Sequence, residues 1–465
     1  MTRPLLTIGG GLLLAVAYTT SPLGLLFLVA TPLLCLIAGR GLPEQERRIL
    51  TTILASALVA RLLAVVAMFL VGIPYHSDLA VGALSGDEAY NLSRALRIRD
   101  IMLGFGGTHY DYFVAIDEYG RTSYLELLTR MQLAFGPAPY GLRLFNALLF
   151  TTGAAVLFRI VRPAFGATAA FMGLVGVLFL PSVFYSSISL LKESLYFLAT
   201  SVLLAAAVRL LRGRGMAGTL VAIAAVAASL WVLDDLRRGA IILAAAGIGT
   251  AIVMRIAFAS RQRAAWALAS AVVVAGVAIT QPSLNERALE GVTRAARQHS
   301  GHVFTVGHAY KLLDSGFYMH PATPASSSIT LTPPQAVRFV MRALVSFVLT
   351  PLPWQAASRG ELAFLPEHLL WYLLLVAVPF GLVAGWRRDP LVTAVLIGFV
   401  LPTALVLALT NGNVGTLLRL RGLVTPYLMW IGALGVCVIG ETLVARRRGA
   451  TGRRSWTPVS EGTLA

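Results

Sequence analysis

Apolar and polar positions divide this chain into long hydrophobic runs joined by short arginine-bearing turns, with two long polar stretches between them. Runs at residues 5–18, 23–38, 49–73, 144–157, 167–183, 190–211, 219–233, 240–256, 265–279, 369–384, 391–409 and 423–439 lie near the roughly 20 residues that cross a bilayer core as helix. The outward–inward alternation of a barrel strand is missing, and lipid requires backbone groups to be paired within each crossing, so the runs predict helices. The expectation is an all-α polytopic membrane protein with about 12 transmembrane helices. A shorter run at 339–352 is interrupted by Arg342. As a span it would force Arg387 and Arg388 to the outer side, so it predicts a re-entrant or interfacial helix.

The polar stretches, residues 74–142 and 282–367, are too long for structureless loops. In the first, Leu125, Leu127, Leu128, Met131 and Leu133 recur at helical spacing, which predicts helices lying along the membrane surface. Residues 1–445 then form one integral membrane domain, and 446–465 a basic cytoplasmic tail.

Composition agrees, because 57% hydrophobic residues exceed the roughly 45–50% of soluble domains. The net charge of +17 suggests nucleic acid at first, but most arginines sit in short loops between apolar runs. There they report topology, and nucleic acid is excluded as a partner. Arg40, Arg47 and Arg48 mark one cytoplasmic loop, Arg159 and Arg162 the next, then Arg209, Arg212 and Arg214, and then Arg255, Arg261 and Arg263. By this count every acidic residue except Glu44, Glu46, Asp389, Glu441 and Glu461 falls on the outer side or at the outer end of a span, as do all seven histidines. Lys192 and Lys311 are the two lysines, and such arginine bias with high alanine content suggests a GC-rich bacterial gene. Cys35 and Cys437 lie in apolar runs and imply neither a disulfide framework nor a metal motif.

The outer side is where chemistry is expected. Ser85-Gly86-Asp87-Glu88-Ala89-Tyr90-Asn91-Leu92-Ser93-Arg94 follows the end of a span. A helix from Gly86 puts Asp87, Asn91 and Arg94 on one face with Tyr90 beside them, and turns Leu92 and Leu96 away. Acids at a helix start also serve as caps that suit the helix dipole. Further charges collect at outer span ends: Lys192-Glu193, Asp234-Asp235-Leu236-Arg237-Arg238 and Arg419-Leu420-Arg421. Arginine presents a planar fork matched to phosphate oxygens, so Arg237, Arg238, Arg419 and Arg421, with Lys192, form a candidate clamp for a lipid-linked phosphate. The loop Asn411–Thr416 adds candidate backbone donors. Arg61, near the middle of a span, must face the bundle interior and find either a structural partner or a substrate.

Gly86-Asp87-Glu88-Ala89-Tyr90 resembles the acidic motif of the GT-C glycosyltransferases, especially the bacterial arabinosyl and mannosyl transferases that use polyprenyl-phosphate sugars. Arg143-Leu144-Phe145-Asn146, the turn at 162–166 and Ser189-Leu190-Leu191-Lys192-Glu193 are similar to that branch in order and placement, and the resemblance covers roughly residues 75–260. It implies a GT-C-like fold and an inverting transferase working on the extracytoplasmic face. It also implies Asp87 as general base, with Glu88 assisting it or holding a metal or the sugar. The family's second acid aligns with Glu193, although Lys192 before it departs from the pattern. Tyr90, Asn91 and Arg94 become acceptor-side residues.

The expected partners are therefore a polyprenyl-phosphate sugar, an acceptor that is a glycan, lipid or protein, and the bacterial inner membrane, with a divalent metal ion as a candidate cofactor. Asp87 and Glu88 with one outer histidine would suit such an ion. The spacing His299-x2-His302-x5-His308 is loose for a metal site. The alternative within glycan chemistry is a lipid-diphosphate polysaccharide polymerase or ligase, which would rely on arginine more than on an acidic pair. A transporter would show repeated halves and charges at mid-bilayer, and here Arg61 alone departs from clean span interiors.

Overall fold

The computed structural model describes residues 11, 21–72, 86–116, 122–213, 215–237, 239–304, 308–318, 330–355 and 359–453. Those residues are helical almost throughout. In chain order the helices are α1 (Pro22–Gly39), α2 (Glu44–Gly72), α3 (Gly86–Met102), α4 (His109–Ile116), α5 (Ser123–Phe135), α6 (Pro139–Phe165), α7 (Ala167–Phe179), α8 (Pro181–Ile188) and α9 (Glu193–Arg212). They continue with α10 (Met216–Leu236), α11 (Ala240–Ala257), α12 (Arg261–Thr280), α13 (Pro282–Val303), α14 (Pro333–Leu349), α15 (Arg359–Arg388), α16 (Pro390–Thr410), α17 (Val414–Arg421) and α18 (Thr425–Arg453).

Among the described residues, nine helices are long and apolar enough to cross a membrane, or ten if the bent pair α7–α8 counts as one crossing. Ten of the predicted runs coincide with these. The run at 5–18 lies outside the described residues. That at 265–279 is the exposed helix α12, which is not among the nine. The run at 339–352 falls largely within α14, an amphipathic helix that buries Ala336, Phe339, Ala343 and Phe347 and exposes Val337, Met341 and Val345. Both polar stretches carry helices as expected, α3–α5 in the first and α13–α14 in the second.

Helix α16 forms the centre, burying an unbroken series from Leu391 to Val400. Glycines let its neighbours approach closely. A side chain at Gly398 would strike the backbone of Gly247 and Ala251 in α11, and one at Gly381 in α15 would overlap the Ile431 carbonyl of α18.

The arginine-rich ends of the helices meet one another. Arg162 grips Glu46 with both nitrogens, at 2.8 and 2.6 Å, Arg212 pairs with Asp389, and Arg388 donates to the Phe165 carbonyl at 2.6 Å. Loops that the arginine count assigns to one side of the membrane are thus joined at one end of the bundle.

The predicted run 167–183 is broken. Pro181 has no N–H, and α7 and α8 meet at 58°. The break strands backbone groups in an apolar setting, and two charged side chains satisfy them. Arg61, fully buried in α2, donates to the Leu178 carbonyl (2.9 Å), its own-helix Ala57 carbonyl (3.1 Å) and Ser187 Oγ (2.8 Å), with its guanidinium over Phe184. Glu367 of α15 accepts from the Ser182 N–H at 2.7 Å and from its hydroxyl. A mid-span arginine costs about 2.5–3.5 kcal/mol by insertion scales, which these bonds offset. The role of Arg61 is structural.

Candidate functional site

Helix α3 begins where Gly86 predicts, and Asp87 and Glu88 occupy its first turn, where the dipole favours carboxylates. Adjacent residues on a helix diverge by about 100°, and these two acids have opposite surroundings. Glu88 is fully buried. Its Oε1 accepts from Arg143 Nε of α6 (2.9 Å) and from the Leu190 N–H (2.9 Å). Asp87 is 62% exposed and pairs with Arg419 of α17, 332 residues further along the chain.

The Leu190 bond belongs to a larger grip. Asn146 of α6 donates to the Ser189 and Leu191 carbonyls at 2.6 and 3.0 Å, and Asn91 of α3 donates to the Leu190 carbonyl at 3.2 Å. The turn Ser189–Lys192 has no helix of its own to pair its backbone, so buried polar side chains from two helices do so. The three motifs Gly86–Tyr90, Arg143–Asn146 and Ser189–Glu193 therefore converge, and the convergence fixes where α9 starts and where Glu193 stands.

Glu193 Oε1 lies 3.9 Å from Arg419 Nε, which places Arg419 between two carboxylates. Burial works against the charge on Arg419, but Glu193 and Asp87 outweigh it and hold its pKa above the ordinary value. Lys192 sits beside them. Burial, and next Arg237, push the pKa of its ammonium down, with Glu193 and Asp235 opposing. Arg237 stacks over the Tyr196 ring of α9 at 5.9 Å, and Asp235 accepts from the Ser123 N–H at the start of α5. Below this charged head lies a narrow cleft with room for about one water molecule, lined by Phe150, Val183, Phe197, Leu423 and Tyr427 and by the polar groups of Glu193, Arg419 and Tyr196.

Other predicted residues stand elsewhere. Arg421, two positions from Arg419, falls on the other side of α17. It is buried over Phe347 and Trp371 and donates to the Ser346 and Thr350 carbonyls, so it caps α14 and is not part of the cleft. Arg94 is buried, with Nη1 3.4 Å from the Tyr90 hydroxyl, while Tyr90 itself is 39% exposed beside Asp87. Arg238 lies outside the described residues.

Two of the described histidines of the second polar stretch are held by their neighbours. His299 is enclosed by Tyr310, Phe339 and Tyr318, and burial pushes its pKa down to about 4. His302 Nδ1 lies 2.8 Å from the Thr410 carbonyl. Among the described residues no group of three His, Cys, Asp or Glu side chains is placed to hold a metal ion. With Glu88 Oε1 committed to Arg143 and Leu190, the described residues do not fit the acid-pair metal site expected from sequence.

Sequence reasoning missed how Arg419 is positioned. Gly412 packs so tightly on the His299 carbonyl that a side chain would overlap it. Tyr310 N–H donates to the Gly412 carbonyl (3.0 Å), Val414 N–H to the His308 carbonyl (2.8 Å), and the Tyr310 hydroxyl to the Asn411 carbonyl. Asn413 then caps α17 by accepting from Thr416 N–H at 3.0 Å. The Asn-Gly-Asn loop was the one available signal. Tyr124 of α5, buried close to Asn146, Glu193 and Glu88, gave none, because it falls within an ordinary amphipathic pattern. The chain matches no family model, no curated protein and no solved structure.

Proposed function

We propose that this protein is an inverting glycosyltransferase that moves a sugar from a polyprenyl-phosphate donor to an acceptor hydroxyl at the extracytoplasmic face of the bacterial inner membrane, on a GT-C-like bundle of about 12 spans. The observation that carries the reading is the meeting of Asp87, Arg419, Glu193, Lys192 and Arg237, of which Glu193 and Arg419 also line a narrow cleft with apolar walls. Asp87 takes the acceptor proton as the acceptor oxygen bonds to the anomeric carbon and the bond from that carbon to the phosphate oxygen breaks. The electron pair leaves on the phosphate. A phosphodiester carries one negative charge and the departing phosphomonoester approaches two, so cations fixed around it favour the transition state over the bound donor.

Lys192, Arg237 and Arg419 supply those cations. Glu193 steadies Arg419. Glu88 acts through Arg143 and the Ser189–Lys192 turn and is a positioning residue, and no step needs a metal. Tyr90, exposed next to Asp87, faces the acceptor side.

A membrane assay with a polyprenyl-phosphate sugar and mixed acceptors tests the reading, with a lipid-diphosphate sugar run in parallel. Asp87→Asn is expected to lower transfer about 10²–10⁴-fold, and Arg237→Ala to weaken donor use, with expression retained in both. Undiminished transfer by Asp87→Asn, or transfer from the diphosphate donor alone, favours the lipid-diphosphate polymerase instead.

A further inference from the structure

Arg419 has one guanidinium and two claimants at the head of the cleft. Its Nη1 holds one oxygen of the Asp87 carboxylate, Oδ2, while its Nε, buried and 3.9 Å from Glu193 Oε1, makes no hydrogen bond among the described residues. Glu193 Oε2 is likewise buried and unbonded. Lys192 makes no ion pair among the described residues and lies close enough to Arg237 to feel its charge. Lys192, Arg237 and Arg419 gather here with the carboxylates of Asp87, Glu193 and Asp235, and the Asp87–Arg419 pair is open to water, with side chains 62% and 35% accessible. Pairs so exposed are weak. A phosphate bound by Lys192 and Arg237 offers the same guanidinium a bidentate partner in place of its single exposed carboxylate.

We infer that Asp87 and the donor phosphate compete for Arg419, so that donor binding frees the base and the acceptor is activated only after the donor has arrived. This rests on the glycosyltransferase reading and adds an order to it. While Arg419 holds Asp87, a hydroxyl entering from the water side meets an occupied carboxylate oxygen. When the phosphate draws Arg419 inward, that oxygen is released on the same side of the cleft as the anomeric carbon. The coupling is reciprocal. If phosphate binding loosens Arg419 from Asp87, then Asp87 must weaken phosphate binding, and removing its charge must strengthen it.

The test measures binding of farnesyl phosphate, a short polyprenyl phosphate, to the detergent-purified full chain, with farnesol as the uncharged control. Wild type is expected to bind the phosphate more tightly than the alcohol. Asp87→Asn is expected to bind it about two- to fivefold more tightly than wild type, the worth of an exposed ion pair. In an Arg419→Gln background the same substitution is expected to change little. If wild type does not distinguish farnesyl phosphate from farnesol, the cleft is not a phosphate site and the functional reading falls with the inference. If wild type distinguishes them but Asp87→Asn binds no more tightly, the functional reading stands and the competition is refuted. Equal tightening in both backgrounds also refutes it, because the gain is then only the loss of a nearby negative charge. Arg419→Lys, which keeps the charge without the fork, replaces Arg419→Gln if that variant is not recovered folded.

Discussion

Asp87 and Glu88 are neighbours in sequence, and the structure requires them to fail differently. Glu88→Gln leaves an acceptor atom for the Leu190 N–H but removes the charge opposite Arg143, in a pair with both side chains at 0% exposure. Breaking such a pair costs about 3–5 kcal/mol, because a buried guanidinium loses the carboxylate charge opposite it in a medium that solvates it poorly. Asp87→Asn removes a partner from a pair open to water, which costs about 0–1 kcal/mol. Tryptophan fluorescence during a thermal ramp, on both variants in the same detergent, reads the difference. Glu88→Gln is expected to melt well below wild type, with transfer reduced in proportion to the folded fraction. Asp87→Asn is expected to melt with wild type and to lose transfer. Equal melting temperatures for the two variants, or an Asp87→Asn variant that unfolds early, would refute the division of labour.

Three further outcomes follow from the same geometry. The pKa of Lys192 is depressed by burial and by Arg237, so its charge is lost at a lower pH than an ordinary lysine's; farnesyl phosphate affinity is expected to fall as pH rises through that depressed value, and Lys192→Arg to remove this alkaline limb. His299 titrates near 4 in the fold against 6.5 for an ordinary histidine, so below pH 6.5 the unfolded chain takes up the proton first. Stability is expected to drop by up to about 3 kcal/mol as pH falls from 6.5 to 4, and His299→Leu, still enclosed by Tyr310, Tyr318 and Phe339, to flatten that slope in acid melting curves. Gly381→Ala forces a methyl group against the Ile431 carbonyl and is expected to lower stability by about 1–3 kcal/mol, whereas Gly440→Ala, with open space around it, leaves the melting temperature unchanged.

The spans were legible because lipid permits so few solutions. Hydropathy and length located the nine helices, ten with the bent pair, that are long and apolar enough to cross among the described residues, and the Gly86 helix start could be read from its acids and its position after a span. Arg61 declared itself by its cost, although its partners did not, since a stranded carbonyl at Leu178 is invisible until the elbow at Pro181 is built. The Asp87–Arg419 pair was beyond local pattern, as its members are 332 positions apart in the chain. Treating Asp87 and Glu88 as one acidic unit was avoidable, because a helix sends adjacent side chains to different faces. The same holds for Arg419 and Arg421, about 200° apart on α17, of which only one reaches the cleft.

Helix α17 is eight residues long, roughly 12 Å, and both its ends are tethered. The Asn411–Asn413 loop is pinned by Tyr310 and His308, Arg421 is bolted to the end of α14, and Arg419 projects from between them into the charged head. So short a rod does not flex. A displacement of α14 or of the 308–318 segment by a fraction of an ångström is delivered to Arg419 as a translation of similar size, which makes that part of the molecule the mounting on which its cationic tip is aligned.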